Sequence, residues 1–226
     1  MPCEAQRPAV PGRCARFQAT VIICKYLPCP MPARYHEAMT SKRYIALLRG
    51  INVGRAKRVA MADLRKLIGD LGYTEVRSVL NSGNVVFSGP PRPQDAVAAE
   101  IEEALVLKLG VAARALVLER EELAAIVAAN PLLDVAADHA RLLIFILAGE
   151  HAREAVEPLC RQDWQPGAVA LGARAVYVWC PDGILDSAAA QALGKQLGDA
   201  TTSRNWSTLS KLHALCSEAT ACATPG

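Results

Sequence analysis

The chain has 226 residues, 52% of them hydrophobic, 21% charged and 5% aromatic, with 25 Lys and Arg against 22 Asp and Glu. An apolar fraction of that size supports a buried core in one large domain or two small ones and excludes a disordered, collagen-like or coiled-coil chain. The formal charge of +3 is too small to mark a dedicated nucleic-acid or membrane binder, and the longest apolar run, Leu142–Ala148, falls far short of the roughly 20 residues that span a bilayer.

Residues 1–38 hold six of the 14 prolines and four of the eight cysteines (Cys3, Cys14, Cys24, Cys29), with no lasting helical or strand period. Glu4 and Lys25 break the pattern of a secretory signal. This stretch reads as a disordered or mis-annotated extension, with translation expected to begin at Met39, where a regular pattern opens.

From there the order is legible. Arg43–Leu48 is a short apolar strand, and Met61–Leu71 an amphipathic helix with Leu64, Leu67, Ile68 and Leu71 on one stripe. Glu75–Leu80 and Asn84–Phe87 are strands joined by the turn residues Asn81-Ser82-Gly83. A helix over about Pro93–Leu109 and a strand over Val111–Leu118 complete a β-α-β-β-α-β succession. The order then recurs less cleanly, with a bridging helix near Glu121–Ala129, a strand over Arg141–Leu147, and a helix over Glu150–Arg161. Strands near Val169–Leu171 and Ala173–Trp179, a helix over Leu185–Leu197 and a last helix from Trp206 to about Cys216 follow. The expected fold is α+β: two tandem ferredoxin-like halves, 39–118 and 119–216, packed together, with a C-terminal helix and a flexible tail over 217–226. Ile45–Leu48 and Leu142–Leu147 do not alternate, so both faces of each sheet must be covered, by the other half's sheet or by a second copy of the protein.

Two segments concentrate chemistry. Arg49-Gly50-Ile51-Asn52-Val53-Gly54-Arg55-Ala56-Lys57-Arg58 is a loop whose glycines free backbone N–H groups to point inward among four basic side chains, a setting for phosphate or carboxylate. It is neither a Walker loop nor a dinucleotide fingerprint, and a solvated basic loop explains the same residues. Thr201–Thr208 leads into the last helix, where Ser203 or Asn205 could cap first-turn amides beside Arg204. The competing reading is a capped helix with Trp206 in the core and Arg204 paired to a carboxylate. Ser82 is the most tempting nucleophile, but hairpin-turn chemistry explains Asn81–Asn84 without catalysis. No motif calls for a cofactor. Cys160, Cys180, Cys216 and Cys222 lack zinc-site spacing, so no metal is expected; Cys160 and Cys180 read as core residues and the terminal ones as free thiols. Tyr44 and Phe87 are too sparse, on strands apolar on both faces, for base stacking on an open sheet.

Three stretches, Leu47–Gly54, Ser82–Phe87 and Arg204–Thr208 with Lys211-Leu212, together resemble the domain of unknown function 1697 family over about Thr40–Leu215. The resemblance implies a bacterial-type cytosolic protein with an α+β, ferredoxin-related fold and no established activity. Here Arg55 replaces the family's usual glycine, and Ala60 its proline before the helix methionine. The candidate ligand-binding set is Arg49, Gly50, Asn52, Gly54, Arg55, Lys57, Ser82, Gly83, Asn84, Arg204, Asn205 and Lys211. The expected partner is a small anionic ligand or a nucleic-acid backbone. The alternatives are an enzyme acting on a small phosphorylated substrate, with Ser82, Asn84 or Asn205 as polar participants, and a module that docks an acidic protein.

Overall fold

The unbroken apolar run Tyr44–Leu48 is fully covered because it forms the middle of a sheet packed on both faces. A computed structural model describes residues 41–52, 58–198 and 201–218. In it, β1 (Lys42–Arg49) lies between β3 (Asn84–Gly89) and β4 (Arg114–Glu119), with β2 (Thr74–Val79) outside β3, an antiparallel sheet of order β2-β3-β1-β4. Helix α1 (Met61–Asp70) connects β1 to β2, and α2 (Gln94–Ala104), extended by a π-helical turn over Leu105–Leu109, connects β3 to β4. The second half repeats this. β5 (Leu142–Leu147) is central in the order β6-β7-β5-β8, made with β6 (Ala168–Leu171), β7 (Ala175–Trp179) and β8 (Thr201–Asn205), while α4 (Glu150–Cys160) and α5 (Ala188–Leu197) are the connecting helices. One further helix follows each sheet: α3 (Arg120–Ala128) after β4 and α6 (Trp206–Glu218) after β8. The chain is thus α+β, with two four-stranded antiparallel sheets and six α-helices among the described residues.

Three cores follow from the two-residue period of the strands. Tyr44, Ala46, Leu48, Val85 and Phe87 face α1 and α2, meeting Leu64, Ile68, Val97 and Ile101. On the second sheet, Leu143, Phe145, Leu147 and Val178 face α4 and α5 through Val156 and Leu193. The opposite faces of both sheets contribute to one shared core: Ile45, Leu47, Val86 and Leu118 from the first, Leu142, Ile144, Ile146 and Tyr177 from the second, with Leu123 and Ile126 of α3 and Trp206, Leu209 and Leu212 of α6. The covering layer required by the non-alternating strands is therefore the other half, with α3 and α6 packed into the join. Tyr177 ties the layers by donating its hydroxyl to the Ile126 carbonyl at 2.7 Å, and burial pushes its phenol up to about 12.

The free edge of β4 is guarded. The Ala115 N–H donates to Glu102 Oε1 at 2.8 Å, and the Glu119 N–H to Glu122 Oε2 at 3.1 Å, the latter within the capping box that opens α3. Carboxylates on outward-pointing amides discourage another strand from pairing there.

Several elements differ from expectation. The segment Thr201–Asn205, expected only to lead into the last helix, is a strand; it is polar throughout, so no apolar alternation announces it, and β5 supplies its pairing. The helix expected near Glu121–Ala129 is α3, which lies between β4 and β5 and is also the counterpart of α6. α6 runs to Glu218, two residues past the end expected at about Cys216. Cys216, read as a terminal thiol, is buried in the shared core, where burial pushes it up to about 11. Tyr44 and Phe87 stack at 5.8 Å under α1 and α2 and present no open aromatic surface. The extension 1–38, Met39 and the loop residues Gly54, Arg55 and Lys57 lie outside the described residues.

Candidate functional site at the seam

The turn between β2 and β3 is built around Gly83. Its φ of +74° is a left-handed backbone, and a Cβ there would sit 2.6 Å from Ile51 Cδ1 and 2.7 Å from Leu48 Cβ. This close approach lets the Leu48 N–H donate to the Gly83 carbonyl at 2.8 Å, joining the first and second motif stretches. Asn84, next along, is fully buried. Its amide donates to the Val79 carbonyl at 3.1 Å and to Ser82 Oγ at 2.9 Å, which leaves its side-chain oxygen facing the second half.

Arg204 of β8 meets that oxygen. Its Nε donates to Asn84 Oδ1 at 2.5 Å, its Nη2 to the carbonyls of Leu48 (2.6 Å) and Ser82 (3.3 Å), and its Nη1 to Thr202 Oγ1 (3.0 Å) and the Ser203 carbonyl (2.7 Å). An arginine fork has five N–H donors, and all five are used here. Burial pushes the guanidinium down to about 10, so it remains charged at neutral pH. The contact is reciprocated: Arg49 Nη1 donates to the carbonyls of Gly198 and, at 3.2 Å, Thr201, so each half sends an arginine into backbone carbonyls of the other.

The structure thus brings Arg49, Ser82, Gly83, Asn84 and Arg204 together, but as a joint. Neither expected role of Arg204 is observed: its donors are spent on the protein, and its partners are carbonyls, a hydroxyl and an amide oxygen in place of the expected carboxylate. Asn205 caps α6, its side-chain oxygen accepting from the Thr208 N–H at 3.1 Å and the Thr208 hydroxyl at 2.5 Å, while Trp206 is buried in the core. Asn205→Ala removes that cap and is expected to lower stability by about 1 kcal/mol, read from urea unfolding. Lys211 stands exposed on α6, and no hydrogen bond of the seam reaches it. Ser82 Oγ accepts from the Asn84 amide, a group that cannot take up a proton in exchange, so this contact gives Ser82 no general base.

With φ of +56°, Asn52 accepts from the Val59 N–H at 2.8 Å and donates to the carbonyls of Val59 (3.1 Å) and Asn81 (2.8 Å), a clasp that ties Asn52 to Val59 and to the β2–β3 turn. Beside this clasp lies a hollow of about 720 Å³, lined by Asn52, Arg58, Ala60, Met61, Asn81 and Ser82. It opens at the N-terminus of α1, where Ala60 offers no side-chain cap to the first-turn amides. The reciprocal arginine contacts were invisible to sequence reading because their acceptors are mostly main-chain oxygens, which carry no residue signature.

No curated protein matches the chain. Among solved structures, it is similar to the conserved bacterial protein from Streptococcus pneumoniae, with 23% sequence identity and a TM-score of 0.65 over 78% of this chain and 99% of that one, a likeness of fold. Its residues 41–177, which carry the Gly83 turn and the Arg49 end of the joint, match the family model described as protein of unknown function (DUF1697), and the chain belongs to that family.

Proposed function

We propose that this protein binds a small phosphate- or carboxylate-bearing ligand in the hollow at the N-terminus of α1. The observation that carries this reading is the uncapped first turn of α1 opening onto a hollow lined by Arg58 and the Ser82 hydroxyl. Helix N-terminal amides and a guanidinium favour an anion, and Ser82, whose oxygen already accepts from Asn84, keeps its own proton to donate. The sequence from 42 to 77, to which Asn52, Arg58 and Met61 of the lining belong, carries nine basic against three acidic side chains. Arg49 and Arg204 belong to the joint in this reading and stand outside the ligand's shell.

Thermal unfolding with inorganic phosphate tests the proposal. At ten times the dissociation constant the melting temperature should rise by about 3 °C, and Arg58→Gln should remove the rise. Equal stabilisation of wild type and variant would overturn it. A short single-stranded oligonucleotide in place of phosphate separates a nucleic-acid backbone from a free ligand: the backbone source predicts tighter, steeply salt-dependent binding.

The strand orders β2-β3-β1-β4 and β6-β7-β5-β8 support reading each half as a ferredoxin-like split βαβ unit. Reading α3 as the counterpart of α6 supports a boundary between halves after Ala128 in place of the expected one after Leu118. No helix among the described residues is long and apolar enough to cross a membrane.

A further inference from the structure

Each sheet has two outer strands, and among the described residues three of the four edges are closed to further pairing. On β4, carboxylates occupy the outward amides of Ala115 and Glu119. On β8, Arg49 donates to the Thr201 carbonyl and Arg204 to the Ser203 carbonyl. On β2 the pairing register shifts between Thr74 and Arg77, Glu75 takes a φ of +51°, and the charged Glu75 and Arg77 stand exposed. Irregular pairing and charge are the usual protections of a sheet edge.

β6 has none of them. Ala168-Val169-Ala170-Leu171 carries no charge and no proline, pairs with β7 in unbroken register, and is partly exposed throughout. No side-chain hydrogen bond reaches it among the described residues. The ladder fixes which of its backbone groups are spare. The Gly172 N–H donates to the Ala175 carbonyl at 2.8 Å, and on the other side of β7 the Leu147 N–H donates to the Arg174 carbonyl at 3.0 Å. Bonded pairs alternate along an antiparallel ladder. Ala168 and Ala170 therefore bond to Trp179 and Tyr177, while the N–H and C=O groups of Val169 and Leu171 point away from the sheet. The Val169 and Leu171 side chains pack at the rim of the core under α4 and α5, which sets apolar surface beside the spare groups.

We propose that the β6 edge is a self-association surface. Two copies pair antiparallel about a two-fold axis at Ala170, with Val169 of each opposite Leu171 of the other, and the two sheets become one. This register satisfies every spare N–H and C=O of both strands, as a self-complementary two-fold interface requires. A second β6 is already held extended in its own sheet, whereas a free peptide would lose chain entropy to make the same bonds. Helix α4, which packs on β6, presents Glu157 and Arg161, opposite charges paired at 2.6 Å, so this flank does not repel its own copy. The surface is separate from the hollow at α1 and does not rest on it.

A four-residue strand makes a small interface, with a dissociation constant expected on the order of 100 µM. Sedimentation velocity of the full chain between about 10 and 500 µM tests the proposal, and the wild type should pass from monomer to dimer across that range. Val169→Pro removes an outward N–H and obstructs the edge without cutting a bond to β7, and should weaken dimerisation by about tenfold or more. Val169→Lys, which keeps the backbone and puts a charge on the edge, should weaken it similarly, so the outcome does not depend on the proline variant folding. An unchanged melting temperature of the lysine variant verifies its fold. A wild type that stays monomeric at about 500 µM, or dimerisation untouched by both variants, would overturn the proposal.

Discussion

Arg204→Gln is expected to lower the unfolding free energy by on the order of 3–5 kcal/mol, the largest loss of any single polar substitution considered for this chain. The variant keeps a polar side chain but lacks the fork, leaving Asn84 Oδ1 and the Leu48 carbonyl without their donor inside a packed seam. Hydrogen bonds to a charged donor are worth roughly twice neutral ones, and buried acceptors left unpaired add their own desolvation cost. Arg204→Lys should recover only part of the loss, because a single ammonium cannot serve five acceptors spread around a planar guanidinium. Arg49→Gln, at an exposed side chain whose carbonyl partners can turn to water, should cost about 1 kcal/mol. Urea unfolding of the three variants checks the series; an Arg204→Gln loss below about 1 kcal/mol would show that the seam does not depend on this residue.

Gly83→Ala should cost about 2–4 kcal/mol, from two additive causes. An alanine at φ of +74° is strained by its own backbone, and its Cβ would fall within 2.7 Å of Leu48 Cβ and of Ile51 Cδ1, so β1 and the turn must part. Parting them also disturbs the Leu48-to-Gly83 hydrogen bond, which sets the height of the carbonyls that Arg204 grips. Gly50→Ala provides the control. Its φ of +84° is equally left-handed but its Cβ would meet nothing within 4 Å, so only the backbone term, about 1 kcal/mol, is expected. Equal losses at the two positions would mean that the close approach at Gly83 is unimportant.

Much of the fold was legible from local pattern. The stripe Leu64, Leu67, Ile68 and Leu71 announced α1, the Asn81-Ser82-Gly83 cluster announced the turn, and the non-alternating runs Ile45–Leu48 and Leu142–Leu147 announced strands covered on both sides. β8 was not legible, because Thr-Thr-Ser-Arg-Asn has no apolar period; its strand character comes from pairing with β5, and its Arg204 is spent on the seam. The candidate site was legible in part. The three motif stretches do meet, as a shared ligand site would require, yet what brings them together is a set of hydrogen bonds that uses up the very groups offered to a ligand. Arg58, by contrast, drew little weight in the basic run and stands in the hollow.

The sequence by itself determined the succession of elements, the α+β class, the glycine-dependent turn and the family to which the chain belongs. All of these depend on periodicity or on residues close together in the chain. Only the tertiary structure decided what the polar residues of the three motif stretches do. Arg204 finds Asn84 and Leu48 at separations of 120 and 156 residues, and most of its acceptors are backbone carbonyls that every residue carries. Periodicity reports that a face is buried, but the partner of a buried charge is set by which distant strand ends fold against it.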